Sequence, residues 1–387
     1  MSKKYFKGLT RDTFLLTFTS LFADISTEML YPVIPIFLTT YLGVGGAIVG
    51  IVEGVATATQ YIQMGVSGYI SDRFHNHKTL AVIGYTIAAF SKPLIGLSRV
   101  WQGVLGARFL DRLGTGTRSA PRYSLVAQSA SEENRGKAFG LEGFGDNLGA
   151  FLGPLLAIAL LFYFKIEIHE IFYLAFIPGI LAVAMVLFVS GKEDGIKAKY
   201  KLDLNLKGFP QAYWKYLGVI ALFGIGNISS SFMILQTKNV GVPLIITILI
   251  YAFFNLVAAL ASYPAGFLSD KLGRKSVLLV AFIVFLLSLL GFSATRNVFV
   301  IAGLFALYGI YQGIFRAVGN AYASDFVPQE LRASAIGWFN MTVGITGLIA
   351  SVTAGQIYDR IGPATVFASA AIFVFLGSSL LLFLKER

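Results

Sequence analysis

The sequence predicts an all-α polytopic membrane protein, and three observations lead to this fold class. Hydrophobic residues make up 56% of the 387 residues and charged residues only 13%, whereas a soluble domain has about 25% charged residues. Mean hydropathy is +0.72. The apolar runs are about 20 residues long or more, which suits α-helices that cross a hydrocarbon core about 30 Å thick, whereas strands of a membrane β-barrel are about 10 residues long.

Twelve membrane-spanning helices are predicted from the apolar runs between polar breaks. The first run follows a basic start and is too long for a signal-peptide core, so it is expected to stay uncleaved. One connection is long and lysine-rich, and it predicts a linker at 190–213 between a six-helix bundle at 1–189 and a second at 214–387. The predicted spans are 13–42, 44–70, 79–97, 101–125, 137–163, 170–190, 214–237, 243–269, 276–294, 298–324, 333–358 and 364–384.

The distribution of basic residues predicts the orientation in the membrane. With both termini in the cytoplasm, twenty Lys and Arg residues fall on the inner side and five on the outer side. The positive-inside rule favours this arrangement, a multi-pass protein of the inner membrane. The net charge of +11 is therefore explained by topology, and no nucleic-acid partner is expected.

The residue types limit the chemistry that the chain can perform. The sequence has no cysteine, which excludes disulfides and thiolate metal sites. All three histidines, His75, His77 and His169, fall in predicted loops, so no buried imidazole is expected to relay protons. We find no metal-binding cluster, nucleophile elbow or phosphate loop in the sequence. We expect the protein to be no enzyme and to bind no cofactor. The predicted partners are the lipid bilayer, protons and a small-molecule substrate, and the protein is expected to be a monomer.

Two motifs recur at about half the chain length. The stretch from Gly68 to Arg73 is related to that from Gly266 to Lys275, and Arg135–Gly140 is related to Arg332–Gly337. The offsets of 198 and 197 residues indicate that six spans were duplicated. Parallel repeats of this kind are one architecture of secondary transporters, with the substrate site near the midplane between the repeats.

These repeated loops resemble those of the major facilitator superfamily, and the resemblance covers essentially the whole chain. The stretch from Gly266 to Leu278 matches the superfamily pattern Gly-x-x-x-Asp-Arg/Lys-x-Gly-Arg-Lys-x-x-Leu at every defining position. The first copy has His75 where the pattern has glycine. The resemblance implies that both loops latch the inner face in the outward-open state. The gating residues that it implies are Gly68, Asp72, Arg73, Gly266, Asp270, Lys271, Arg274 and Lys275.

Two further motifs resemble superfamily signatures. The stretch from Arg112 to Gly116 is similar to the Arg-x-x-Gln-Gly signature of the fourth span, with Thr115 in place of glutamine. The resemblance links this arginine to proton coupling. Gly149–Pro154 is similar to the Gly-x-x-x-Gly-Pro motif of the fifth span in proton antiporters, although Ala157 and Ile158 replace its closing glycines. This motif implies export.

The fourth predicted span carries an unusual charged face. Arg108, Asp111, Arg112, Thr115, Arg118 and Arg122 fall within an arc of about 120° on a helical wheel. A charge at the bilayer centre costs about 2.5–3.5 kcal/mol on insertion scales, so these side chains need partners. Asp111 pairs locally with Arg108 or Arg112 in this interpretation, but four arginines need more acid than one aspartate supplies.

Neighbouring spans are expected to supply the other acids. Asp24 lies at about the depth of Arg112, so an Arg112–Asp24 contact is predicted, and Arg118 is predicted to meet Glu142 and Asp146. Arg122, near the inner end, is expected to face a partner or to extend to the membrane surface. The residues predicted to couple protons are Asp24, Glu28, Glu53, Asp111, Arg112 and Asp146. The residues predicted to bind substrate are Asp24, Tyr31, Arg108, Arg112, Arg118, Asn227, Asn255, Tyr308, Tyr311, Gln312, Arg316, Trp338 and Asn340.

The sequence therefore predicts a proton-coupled secondary transporter that works by alternating access. Export of a small organic molecule is the preferred interpretation. The alternative is an importer or exchanger of an anionic metabolite or siderophore, because Arg108, Arg112, Arg118 and Arg316 would form an anion site.

Overall fold

The computed structural model describes residues 8–74, 76–190, 208–328 and 331–384. Within these ranges the chain forms helices and loops without a strand, which confirms the all-α prediction. Residues 191–207 of the predicted linker lie outside the described residues, as do His75 and both chain ends, 1–7 and 385–387. The side chains of Asp72 and Arg73 also lie outside the described part.

Twelve helices in the described ranges correspond to the predicted spans. Four consist of more than one segment: α1, α5, α6 and α7. The bounds are α1 (Arg11–Glu28, continued by Ile34–Ile36 and Phe37–Tyr41), α2 (Gly46–Phe74), α3 (His77–Leu97), α4 (Trp101–Gln128), α5 (Arg135–Ile158, continued by Ala159–Tyr163), α6 (Glu170–Leu174 and Phe176–Leu187), α7 (Gln211–Gly226 and Ser230–Asn239), α8 (Leu244–Leu272), α9 (Arg274–Ala294), α10 (Val298–Asp325), α11 (Arg332–Arg360) and α12 (Pro363–Phe383).

Among the described residues, nine helices are long and apolar enough to cross a membrane, namely α3 and α5 to α12. The other three, α1, α2 and α4, carry more polar side chains. Helix α1 contains Asp24 and Glu28, α2 contains Glu53, and α4 contains the arginine face. The least apolar helices are therefore the ones that hold most of the predicted coupling residues.

Helix packing repeats along the chain with a period of six helices. Helix α1 packs on α5 and α6, and α3 packs on α4 and α6. Six helices later, α7 packs on α11 and α12, and α9 packs on α10 and α12. The packing thus follows the same duplication as the two sequence motifs.

Contacts divide the chain into two compact units. The first contains Met1–Tyr31 and Ile62–Ala198, and the second contains Pro32–Tyr61 and Lys199–Arg387. The second unit therefore includes the end of α1 and the first half of α2, which precede most of the first unit in sequence.

The first turn of α2 is capped by a side chain of α11. Asp359 accepts hydrogen bonds from the backbone N–H groups of Gly46 (2.7 Å) and Ala47 (2.8 Å). These N–H groups lack partners within their own helix, and a carboxylate also favours the positive end of the helix dipole. A Cβ on Gly50 would lie 2.2 Å from the carbonyl oxygen of Ser351, so glycine permits the close approach of the two helices.

Helices α3 and α4 meet through two glycines. A Cβ on Gly114 would lie 2.6 Å from the backbone nitrogen of Ala88 and 2.6 Å from the carbonyl oxygen of Gly84. A Cβ on Gly84 would lie 2.6 Å from the carbonyl oxygen of Gly114. Because backbone atoms cannot move aside as a flexible side chain can, both positions require glycine at this separation. This contact holds the arginine face of α4 against α3.

We expect Gly114→Ala to lower the thermal unfolding midpoint, because the added methyl group would force α3 and α4 apart. Overpacking of this kind costs roughly 1–3 kcal/mol. Gly106→Ala is the matched control on the same helix, since no atom lies within 4 Å of its added Cβ. Equal midpoints for the two purified variants would contradict the proposed close contact.

Candidate functional site

Asp111 lies at the centre of a buried charge cluster on α4. Its Oδ1 is 3.2 Å from Nζ of Lys92, and its Oδ2 is 3.2 Å from NH1 of Arg108 and 3.3 Å from Nε of Arg112. Each of the four residues is at most 7% exposed. One carboxylate therefore neutralises part of the charge of three cations, and the Asp111–Arg108 and Asp111–Arg112 pairs agree with the local pairing considered from sequence.

Lys92 was not among the predicted site residues. Its Nζ donates a hydrogen bond to the backbone oxygen of Ala88 (2.9 Å) in addition to its contact with Asp111. A lysine in the middle of an apolar helix was the available signal, because such a charge requires a partner. The sequence cannot identify that partner, which lies 19 residues away on α4.

Tyr31 faces two arginines of this cluster. The Cζ atoms of Arg108 and Arg112 each lie 5.7 Å from the centroid of its ring. This distance is within the range of a cation–π interaction. The predicted substrate-binding residues Tyr31, Arg108 and Arg112 are thus brought together.

A second buried cluster surrounds Arg122. Its NH1 lies 2.9 Å from Oδ1 of Asp146, 3.3 Å from Oε1 of Glu142 and 3.1 Å from the hydroxyl of Ser20. The Ser20 hydroxyl in turn donates to Glu142 Oε1 (2.6 Å). Arg122 is 8% exposed, so its guanidinium is held inside the bundle and does not extend to the membrane surface.

The prediction that Arg118 meets these acids was wrong, because one helical turn separates the two arginines. Arg122 reaches α5, whereas Arg118 lies against α3, where its Cζ is 4.4 Å from the ring centroid of Tyr85. A turn of about 5.4 Å is enough to change the neighbouring helix.

Asp24 lies beside α5 and does not contact Arg112. A Cβ on Gly149 would be 2.9 Å from Cβ of Asp24, so glycine makes room for the aspartate. Among the described residues, Asp24 forms no hydrogen bond or ion pair, and its charged neighbours are Asp146, Arg118, Glu28 and Arg122. The predicted Arg112–Asp24 contact is therefore wrong, because Asp111, the preceding residue on α4, takes the Nε of Arg112.

Two other predicted acids lie in different units. Glu28 is partly buried in the first unit, and Glu53 is 2% exposed in the second. Their assignment to proton coupling stays a prediction.

The predicted aromatic residues of the second unit lie in an extensive ring cluster. The ring of Tyr311 stacks on Phe285 with centroids 4.3 Å apart, and that of Tyr308 stacks on Phe254 at 5.0 Å. Gln312 donates a hydrogen bond from Nε2 to the hydroxyl of Tyr308 (2.7 Å). Both tyrosines are at most 3% exposed, so their rings mainly join α8, α9 and α10.

The remaining predicted substrate residues of the second unit are more scattered. Asn227 is the C-cap of the first segment of α7, and Asn340 is buried on α11. Asn255 and Trp338 are partly buried, whereas Arg316 is exposed. Their role in substrate binding stays a prediction.

The second gating loop forms a turn that requires glycine. Gly273, between α8 and α9, has a φ of 88°, a conformation that other residues rarely adopt. Arg274 NH1 contacts Asp325 Oδ1 at 2.9 Å, and its NH2 is 3.9 Å from Asp270 Oδ1. Lys275 Nζ donates to the backbone oxygens of Leu382 and Leu384. These motif residues thus tie α9 to α10 and to the end of α12.

The other motif residues make fewer contacts. Lys271 Nζ lies 4.3 Å from the ring centroid of Phe267. A Cβ on Gly266 would meet no atom within 4 Å, and one on Gly68 would lie 3.4 Å from Cβ of Ala120. Gating by either loop stays a prediction.

Comparison with known proteins identifies a family. The model described as Major Facilitator Superfamily matches residues 16–236 and 216–387. An uncharacterized MFS-type transporter of Methanocaldococcus jannaschii is 34% identical over 384 residues, which cover 98% of this chain and 96% of the relative. The crystal structure of the nucleoside transporter NupG, 15% identical, superposes with a TM-score of 0.80 over 98% of this chain and 100% of NupG.

Two further relatives have functional names. A probable 4-methylmuconolactone transporter of Cupriavidus pinatubonensis is 26% identical and aligns over 87% of this chain and 81% of its own. The multidrug resistance protein MdtH of Salmonella newport is 24% identical over 86% of this chain and 82% of its own. These matches confirm the predicted class of a polytopic helical transporter.

We expect Asp111→Asn to destabilise the protein much more than Asp146→Asn. Removing one partner of a buried ion pair costs roughly 3–5 kcal/mol, whereas partly exposed pairs contribute about 1 kcal/mol or less. The side chain of Asp111 is 4% exposed and touches three cations, whereas that of Asp146 is 35% exposed and shares Arg122 with Glu142. Thermal unfolding of both purified variants is the measurement, and equal losses would contradict the central role of Asp111.

Proposed function

The chain belongs to the major facilitator superfamily, and on that premise we propose that it is a proton-coupled secondary transporter of a small organic molecule, working by alternating access. The observation that carries the proposal is Asp24. Among the described residues this carboxylate forms no ion pair, yet Arg118, Arg122 and Asp146 are its electrostatic neighbours. It is therefore suited to gain and lose a proton during a transport cycle.

The physical basis is a balance of opposing effects on one carboxylate. Asp24 has both negative neighbours, Asp146 and Glu28, and positive ones, Arg118 and Arg122. When opposing effects of this kind act together, a small movement of a neighbouring charge changes the protonation state. In contrast, Asp111 forms direct ion pairs with three cations. These contacts give it a structural role in addition to its predicted role in proton coupling.

The environment of Asp24 favours export as the direction of transport. The motif Gly149–Pro154 resembles that of proton antiporters, and its glycines pack directly on α1. A Cβ on Gly149 would lie 2.5 Å from the backbone oxygen of Leu21, and one on Gly153 would lie 2.8 Å from the backbone nitrogen of Met29. The antiporter-like motif thus fixes α5 against the helix that carries Asp24. The relative MdtH, named a multidrug resistance protein, also supports export.

Uptake or exchange of an anionic metabolite is the second candidate. The excess of cations around Asp111 favours it, as does the relative named a probable 4-methylmuconolactone transporter. We further propose that the protein lies in the inner membrane as a monomer with both termini in the cytoplasm.

Alternating access also requires a contact that opens and closes. We assign this role to the cap of α2 by Asp359, because its two hydrogen bonds join residues more than 300 positions apart in the chain. Asn239 also contacts the hydroxyl of Tyr358 beside this cap. A few hydrogen bonds at helix ends are weak enough to break in each cycle.

We expect Asp24→Asn to abolish transport driven by a pH gradient, because an amide cannot carry a proton. Proteoliposomes with an imposed gradient would be assayed with ethidium and, separately, with 4-methylmuconolactone. Gradient-driven flux should fall at least about tenfold, while substrate exchange without a gradient persists. The control is Asp12→Asn on the same helix, whose carboxylate accepts hydrogen bonds from Ser190.

Two results would count against parts of this proposal. Full gradient dependence in Asp24→Asn would exclude Asp24 as the coupling residue. Gradient-dependent uptake of the lactone without ethidium export would favour the anionic-metabolite candidate.

We expect Asp359→Asn to favour separation of α2 from α11. Loss of the charge at the helix N-terminus costs roughly 1 kcal/mol, or about a fivefold change in population. The sequence has no cysteine, so Tyr41→Cys, just before α2, and Ile361→Cys, just after α11, introduce two unique sites for spin labels. Double electron–electron resonance measures the distance between the two labels. The longer distance should be more populated in Asp359→Asn than in the control variant Glu167→Gln with the same labels. Unchanged distance distributions would contradict a gating role for Asp359.

A further inference from the structure

A small cavity lies inside the first unit among α1, α3, α4 and α6. Its polar lining consists of Ser26, Thr27, Tyr85, Lys92 and Arg118, and the rest is alanine and glycine. Its volume is about that of one water molecule. None of the carboxylates in the described part of the chain lines this cavity.

The polar groups at this cavity include hydrogen-bond donors that lack acceptors. Arg118 is 5% exposed, and its Nε and NH1 have no hydrogen-bond partner among the described residues. The hydroxyl of Tyr85, which is 3% exposed, also lacks a partner there. The hydroxyl of Ser26 is already used, because it donates to the backbone oxygen of Ala175 (2.6 Å). Unsatisfied buried donors are costly, so an acceptor is expected at this place.

Charge favours a negative acceptor over water. Arg118 cannot lose its proton, and Lys92 on the same wall contacts a carboxylate that also serves two other cations. Asp24 interacts electrostatically with Arg118 but forms no hydrogen bond to it and does not line the cavity. The cavity therefore combines positive charge, hydrogen-bond donors and a volume that suits a single ion.

We propose that this cavity binds a single halide ion, chloride or bromide, inside the first bundle. The guanidinium of Arg118 and the hydroxyl of Tyr85 donate hydrogen bonds to the ion, and the ammonium of Lys92 contributes charge. A space of this size favours a monatomic anion over a polyatomic one such as sulfate. The bound ion fills the space among four helices and satisfies the donors, so it stabilises the bundle whether or not substrate is present.

The test measures halide binding to the purified full-length protein without substrate or a pH gradient. Thermal unfolding midpoints would be compared in sodium chloride, bromide, sulfate and gluconate at equal ionic strength. We expect a saturable rise in the midpoint with chloride and bromide, and none with sulfate or gluconate. Because transport is not assayed, failure of this proposal is distinguishable from failure of the proposed function.

A matched pair of variants separates the site from general salt effects. Tyr85→Phe keeps the ring that stacks on Arg118 at 4.4 Å and removes only the hydroxyl, so the apparent chloride affinity should fall about tenfold. Tyr123→Phe makes the same change at a tyrosine that stacks on Arg122 at 4.9 Å but is 48% exposed. This control should bind chloride as the natural protein does.

Line broadening in ³⁵Cl NMR gives a second measurement at a temperature where both variants are folded. Broadening that saturates in the natural protein and in Tyr123→Phe, and is weakened in Tyr85→Phe, would support the site. Equal midpoints in all four salts, or identical chloride responses in the two variants, would overturn the proposal and leave water as the occupant.

Discussion

The structure of the first unit depends on the burial of positive charge on α4. A guanidinium stays protonated, so each buried arginine requires an acid, an aromatic face or a hydrogen-bond acceptor as a partner. Asp111 meets this requirement for three cations, and Glu142 with Asp146 meets it for Arg122. Arg118 instead lies on the ring of Tyr85. The positions of α1, α3 and α5 around α4 follow from these contacts.

Small residues make these contacts possible, because ion pairs of about 3 Å require helices that approach closely. Gly84 and Gly114 bring α3 to α4, which places Lys92 within reach of Asp111. Gly149 brings α5 to α1 beside Asp24. Packing and electrostatics are therefore coupled, since a methyl group at any of these glycines moves a charge as well as a backbone.

The second unit relies on a different interaction. Its described helices α7 to α10 pack through aromatic rings such as Phe223 and Phe282, whose centroids are 3.6 Å apart. Ring stacking of this kind is rigid and does not change with protonation. In the proposed function, proton handling belongs to the first unit, and the second unit provides a stable framework of stacked rings.

The sequence by itself determined the helical class, the number of spans, the six-helix repeat and the family, because these follow from hydropathy and motif spacing along the chain. It also identified Asp111 with Arg108 and Arg112, which are neighbours on one helix. Only the tertiary structure decided which acid meets which arginine. Arg122, and not Arg118, meets Asp146, although the two arginines are only about one helical turn of 5.4 Å apart. The partners of Lys92 and Asp359 lie on other helices. Contacts between helices depend on how each helix is rotated about its axis and how deep it lies in the bundle. The sequence pattern along one helix does not determine either quantity.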